Sequence, residues 1–178
     1  MVGDAIAKAP GIVHWSSIPI KLYGLKIGTH SFHVVLGDGI HRRLPGEQQV
    51  VSVDVKGPSV WAEAPAAVAK GAPVTVQLHS AGFDVVPVSG SAMSHESPAA
   101  SGMKEGHYHL LVDPASPPTA GQTLPEPRAN KVIHTGESSV TINDLAPGDH
   151  VIFVVAGSTS HVAFEPAVMA RVAVTVTP

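Results

Sequence analysis

Residues 12–41, IVHWSSIPIKLYGLKIGTHSFHVVLGDGIH, align without a gap to residues 132–161, VIHTGESSVTINDLAPGDHVIFVVAGSTSH. At this offset (132 − 12 = 120) His14 meets His134, Leu25 meets Leu145, Gly28 meets Gly148, His30 meets His150, Gly37 meets Gly157 and His41 meets His161. One inserted residue then brings Pro45 onto Pro166 and VSVDV (51–55) onto VAVTV (172–176). An internal repeat constrains architecture strongly, because each copy must be the same supersecondary unit. The second copy has a long stretch of chain before it and the first very little. Residues 58–178 therefore read as a complete unit of roughly seven strands. Residues 1–57 read as a partial unit holding only the last few strands. Three strands seldom stand alone in water. The partial unit is expected to pack on the full one or to recruit a partner, and a homodimer that completes it is one such solution.

The strand reading comes from punctuation and residue type. Seventeen Gly and sixteen Pro break the sequence every few residues, which disfavours long helices. Between them lie SVWAEAP (59–65), VTVQLHS (74–80), FDVVPV (83–88) and HYHLLVD (107–113), short runs rich in β-branched residues. The segments LKIGTHSFHV and LAPGDHVIFV look like the corner that opens strand F of immunoglobulin-like sandwiches, where the ring is usually Tyr. Here His30 and His150 take that place, with a ring nitrogen expected to bond to backbone. The fold class is all-β, an immunoglobulin-like or cupredoxin-like sandwich.

Composition excludes several function classes. Charged residues make up 14% of the chain and hydrophobic residues 44%, so a disordered, solvating chain is ruled out. Net charge is −3 and the 11 Lys plus Arg form no basic cluster, which argues against nucleic acid. There is no Cys, which removes disulfides, thiolate zinc sites, Cys nucleophiles and the His₂Cys copper centre. No apolar run approaches the roughly 20 residues of a membrane helix. The first ten residues, MVGDAIAKAP, do not read as a signal peptide, so any export signal is expected upstream or already removed. Eleven His against 14 Asp plus Glu make histidine the unusual resource of this chain.

His107 and His109 are the sharpest pair. Residues i and i+2 of a strand project from one face, and two imidazoles so placed suit Zn²⁺ or Cu²⁺. The alternative is two surface histidines on an edge strand. His134 and His161 are the natural further ligands, and both recur in the partial unit as His14 and His41; the alternative is that they bond to each other or to loop carbonyls. A weaker set is Met93, His95 and Met103, whose thioethers and imidazole suit Cu(I). Asp113 either orients a ligand His or caps the turn at Pro114. No GxSxG elbow, phosphate-binding Gly loop or HExxH helix is present, and no catalytic residue is assigned.

The run GFDVVP (82–87), GHYHLLVD (106–113), VIHTG (132–136) and LAPGDHVIFVVAG followed by His161 resembles the bacterial domain of unknown function 4399 over about residues 59–178. The resemblance implies a small β-sandwich in exported or periplasmic proteins with no assigned reaction. That family carries three consecutive histidines where this chain has His107, Tyr108 and His109. Separately, GTHSFHVVLGDG (28–39) is similar to a copper-ligand segment of copper–zinc superoxide dismutase, with His33 on one ligand position. The next ligand position is Val35, and the paired cysteines and the zinc loop are missing. The readings in contention are a non-enzymatic metal-binding sandwich (copper first, then zinc), a metal-free interaction module, and a dismutase-like metalloenzyme.

Overall fold

The structure, a computed structural model, describes residues 12, 20, 22, 25–40, 42–44, 46, 48–88 and 103–178. It is all-β, and the described residues contain no helix and hence none able to cross a membrane. The chain divides into two units, Met1–Leu22 with Gly28–Val55, and Tyr23–Ile27 with Lys56–Pro178.

The first unit contributes a hairpin, β1 (Gly28–Val34) and β2 (Gln49–Val55), paired antiparallel with His30 opposite Val53. The second unit contributes β3 (Ser59–Glu63), β4 (Ala67–Ala69), β5 (Val74–Ala81), β6 (Asp84–Val85), β7 (Glu105–Val112), β8 (Val132–Thr135), β9 (Ser139–Ile142), β10 (Gly148–Gly157) and β11 (Met169–Thr177). One sheet runs β4-β11-β10-β7-β6, with β8 also on β7, and faces a three-stranded sheet β3-β5-β9. The length assigned to FDVVPV is shorter than its composition implies, because only Asp84 and Val85 pair, in parallel, with Glu105 and Gly106.

Alternation explains the core between the sheets. Val74, Val76 and Leu78 of β5 point inward while Thr75, Gln77 and His79 point outward, where His79 stacks on Trp61 at 5.4 Å. They meet Leu110 and Val112 of β7, Ile152 and Val154 of β10, and Val174 and Val176 of β11. Tyr108 shares that face, and its hydroxyl donates to Ser80 Oγ at 2.7 Å. The opposite face of the larger sheet is apolar too, with Leu111, Phe153, Val155 and Met169 packed under Leu124 and Ala163. Strands β7 and β10 are therefore buried on both sides, as their continuous apolar sequences require.

The corner histidine behaves as its position implies. His150 donates through Nε2 to the Ala146 carbonyl and through Nδ1 to Asp113 Oδ2, each at 2.7 Å. A neutral imidazole has one N–H, so this pair of acceptors holds His150 as the cation. The Ala146 carbonyl and then the Asp113 carboxylate raise its pKa above 6.5. Burial pulls the Asp113 carboxyl up, but the Val151 N–H and the His150 ring outweigh it and the net direction is down. Asp113 is thus committed to the corner rather than to the histidines of β7.

A raised histidine pKa stabilises the fold fully below the unfolded value and loses that contribution as pH rises through the folded one. The unfolding free energy of the parent minus that of Asp113→Asn is expected to be up to about 1 kcal/mol at pH 6. Chemical denaturation should show this difference shrinking by pH 9. A difference that holds constant or grows with pH contradicts a cationic His150.

Candidate metal centre

The site is built by register. On β7, His107 and His109 point away from the sandwich core, on the face carrying Leu111, because Tyr108 and Leu110 point into it. Both histidines are buried. In the antiparallel pairing of β7 with β8, His109 lies opposite His134, and residues directly opposite share a face. The rings of His109 and His134 accordingly have centroids 4.2 Å apart.

His161 arrives by a turn. After Gly157, Ser158 N–H donates to the Val162 carbonyl and His161 N–H to the Ser158 carbonyl, folding the chain back so that Gly157 bridges Ala163. His161 closes this turn with φ of 59°, a left-handed conformation that costs a residue with a Cβ about 1–2 kcal/mol. Residues 121–124 hold it there: Leu124 N–H donates to the His161 carbonyl at 2.7 Å, and Ala163 N–H to the Gln122 carbonyl at 2.9 Å. The His161 ring then stands 5.2 Å from that of His107 and 4.5 Å from that of His134.

Each of the four residues offers one nitrogen, and these four atoms lie within 4.8 Å of one another. A tetrahedral shell with metal–nitrogen bonds of about 2.0–2.1 Å spaces its nitrogens roughly 3.4 Å apart. The widest pair would have to close by roughly 1.4 Å to reach that spacing. The hydrogen bonding of the rings points the same way. His134 donates Nε2–H to the Pro125 carbonyl at 2.9 Å, which fixes its tautomer and leaves a lone pair on Nδ1. That Nδ1 is buried without a hydrogen-bond partner, as is His107 Nε2; the His109 ring meets only the Val155 backbone, outside good hydrogen-bond geometry. An unsatisfied buried polar atom costs about 1–3 kcal/mol. Several in one place fit a ligand set far better than a structural prop.

Burial first, and the neighbouring rings second, push His107 down to about 4 and His109 to about 2. Burial also leads in lowering His134. The rings are therefore neutral near pH 7, the state a metal requires. The Glu126 carboxylate stands 3.8 Å from His161 Nδ1, beyond hydrogen-bonding distance, and is exposed.

The edge-strand alternative for His107 and His109 does not hold, since β7 lies between β10 on one side and β6 and β8 on the other. Met103 is exposed, just ahead of β7, and outside the four-histidine group. His14, His41, Met93 and His95 lie outside the described residues. His33 of β1 contacts Gln48 and belongs to no histidine group among the described residues.

One residue that shapes the site escaped the sequence reading. Gly157 lies opposite His107 on β10, and a Cβ there would sit 2.6 Å from His109 Cε1 and 2.8 Å from its Nδ1. Its recurrence as Gly37 was the available signal.

With this geometry in place, comparison with known protein families identifies the chain's family. The model of the family described as Domain of unknown function (DUF4399) matches residues 76–177. The chain belongs to that family. No curated protein matches. The family match spans β7, β8, β10 and the turn that carries His161. The middle position of the histidine triplet that the resemblance implies is Tyr108 here, whose side chain lies on the opposite face of β7 from the cluster.

Two substitutions test how the site is held. Gly157→Ala is expected to displace the His109 ring and weaken binding of Zn²⁺ or Cu²⁺ at least tenfold, at a folding cost of about 1–3 kcal/mol. Isothermal titration of a variant whose circular dichroism matches the parent checks this, and unchanged affinity contradicts it. His161→Gly relieves the left-handed backbone while deleting a ligand. The metal-free variant should be more stable than His161→Ala by about 1 kcal/mol, though both bind metal poorly. Equal stability of the two variants contradicts strain at this turn.

Proposed function

We propose that the DUF4399 unit is a non-enzymatic metal-binding module that holds one ion through His107, His109, His134 and His161. The observation that carries this reading is the convergence of buried, unbonded imidazole nitrogens on one another. Four imidazoles suit copper and zinc, and the order of intrinsic affinities places Cu²⁺ above Zn²⁺. Copper is therefore the first candidate. Four protein ligands fill a tetrahedral shell, whereas a catalytic zinc keeps a position open. A cleft of about 490 Å³ bounded by Leu111, Pro114, Pro118 and Leu124 has no histidine in its lining. The cluster is not the floor of that cleft. Both features favour holding or delivering an ion over turning over a substrate. Export to the periplasm or beyond, which the family resemblance implies, belongs to the same proposal.

A metal-free interaction module is the rival. In that reading the four imidazoles serve as hydrogen-bonding props, and several of their nitrogens bond to nothing. Elemental analysis of untagged protein, equilibrated with Cu²⁺ or Zn²⁺ and desalted, is expected to give one tightly held ion per chain. His107→Ala with His109→Ala should abolish it. His14→Ala with His41→Ala should leave it nearly unchanged. Binding should also raise the unfolding temperature, since ligand at a hundredfold over Kd adds about 2.7 kcal/mol. Retention of the ion by the His107/His109 double variant removes this assignment.

A further inference from the structure

We propose that the inner face of the β1–β2 hairpin is an interface, and that its occupant is the same face of a second copy of this chain. The inference does not depend on the metal assignment. The repeat takes the same structural form in both units. Gly28 pairs with Val55 and His30 with Val53, as Gly148 pairs with Val176 and His150 with Val174. Three hydrogen bonds of the hairpin tip recur. Asp38 N–H donates to the Arg42 carbonyl and Arg42 N–H to Asp38 Oδ1. In the second unit, Ser158 N–H donates to the Val162 carbonyl and Val162 N–H to Ser158 Oγ. Leu44 N–H donates to the Leu36 carbonyl as Phe164 N–H does to that of Ala156.

The two hairpins differ in what covers them. Val154, Ala156, Phe164 and Val174 are 0%, 0%, 6% and 1% exposed beneath the β3-β5-β9 sheet. Their counterparts Val34, Leu36, Leu44 and Val53 are 39%, 70%, 44% and 40% exposed. Val51, across the ladder from Phe32, is exposed as well. The other face of the hairpin presents Thr29, Ser31, His33, Ser52 and Asp54, with Val50, opposite His33, as an exposed aliphatic exception. A sheet turned to water on both sides does not sort its residues this way. A lone two-stranded hairpin is also marginal in water.

Chemistry selects the occupant. At the inner positions of the paired strands, His30, Phe32 and Val34 opposite Val53, Val51 and Gln49, there is no Asp, Glu, Lys or Arg. A charged partner finds nothing to pair with there, whereas an identical face docks without burying a charge. Two hairpins facing each other about 10 Å apart make a small four-stranded sandwich, closed by a twofold axis. Seven-residue strands make each face roughly 23 Å long and two strands wide, well short of the about 800 Å² per partner of a tight complex. The dimer is accordingly weak and depends on concentration.

Sedimentation of the full chain from micromolar to submillimolar concentration tests this. The parent is expected to pass from monomer to dimer, and Val51→Asp with Val53→Asp to stay monomeric. Ser52→Asp, on the outer face, should dimerise like the parent. Circular dichroism and metal content of the doubly substituted chain report whether the second unit remains folded. Because the chain has no Cys, Val53→Cys should be crosslinked between chains by a bifunctional maleimide long enough to span facing sheets about 10 Å apart, much faster than Ser52→Cys. A parent that is monomeric throughout overturns the proposal. So does a dimer that survives Val51→Asp with Val53→Asp, or equal crosslinking of the two cysteine variants.

Discussion

Burial of β7 on both of its faces is the constraint from which the rest of the second unit follows. One face of the strand supplies Tyr108, Leu110 and Val112 to the sandwich. The other must also be kept from water, yet two of its three central residues are His107 and His109. Ordinary sandwich packing leaves such a face to solvent. Here β8 lies alongside, and the turn after β10 folds back, braced by residues 121–124. The result is a second, smaller apolar layer around Leu111, Leu124 and Phe153. The histidine cluster is set beside that layer.

The cluster concentrates local costs that a purely structural element would avoid. Several ring nitrogens are desolvated without a hydrogen bond. His161 occupies a left-handed position that Gly would fill at no steric cost. Gly157 gives up the side chain that a central strand would otherwise use, so that the His109 ring can lie against its backbone. Each departs from what favours folding, and all of them meet at one point. Natural chains keep such departures at functional sites. A bound divalent ion would offset the desolvation and tie β7, β8 and the His161 turn together.

The repeat shows how one local design supports two outcomes. Both hairpins share register and tip hydrogen bonds. In the second unit the inner face is closed by β3, β5 and β9. In the first, the described residues form only the two-stranded pair, and the apolar residues that should be a core remain on the surface. The corner histidine likewise has local and non-local parts. His150 bonds a carbonyl four residues back and the Asp113 carboxylate 37 residues away in sequence, and both raise its pKa.

The sequence alone determined the fold class, the repeat, the family and the identity of the four histidines, because all of these rest on local patterns. Period-two alternation sends His107 and His109 to one face and Tyr108 to the other, whatever the strand pairs with. Gly and Pro spacing marks where strands end. Only the tertiary structure decided that β7 is central rather than an edge, that His134 lies opposite His109, and that the His161 turn folds back onto the same face. It also decided that Asp113 serves His150 and that Gly157 makes room for His109. These are matters of register between segments distant in sequence. A one-residue slip in pairing sends every side chain of a strand to the other face, so no spacing within a single segment can specify them.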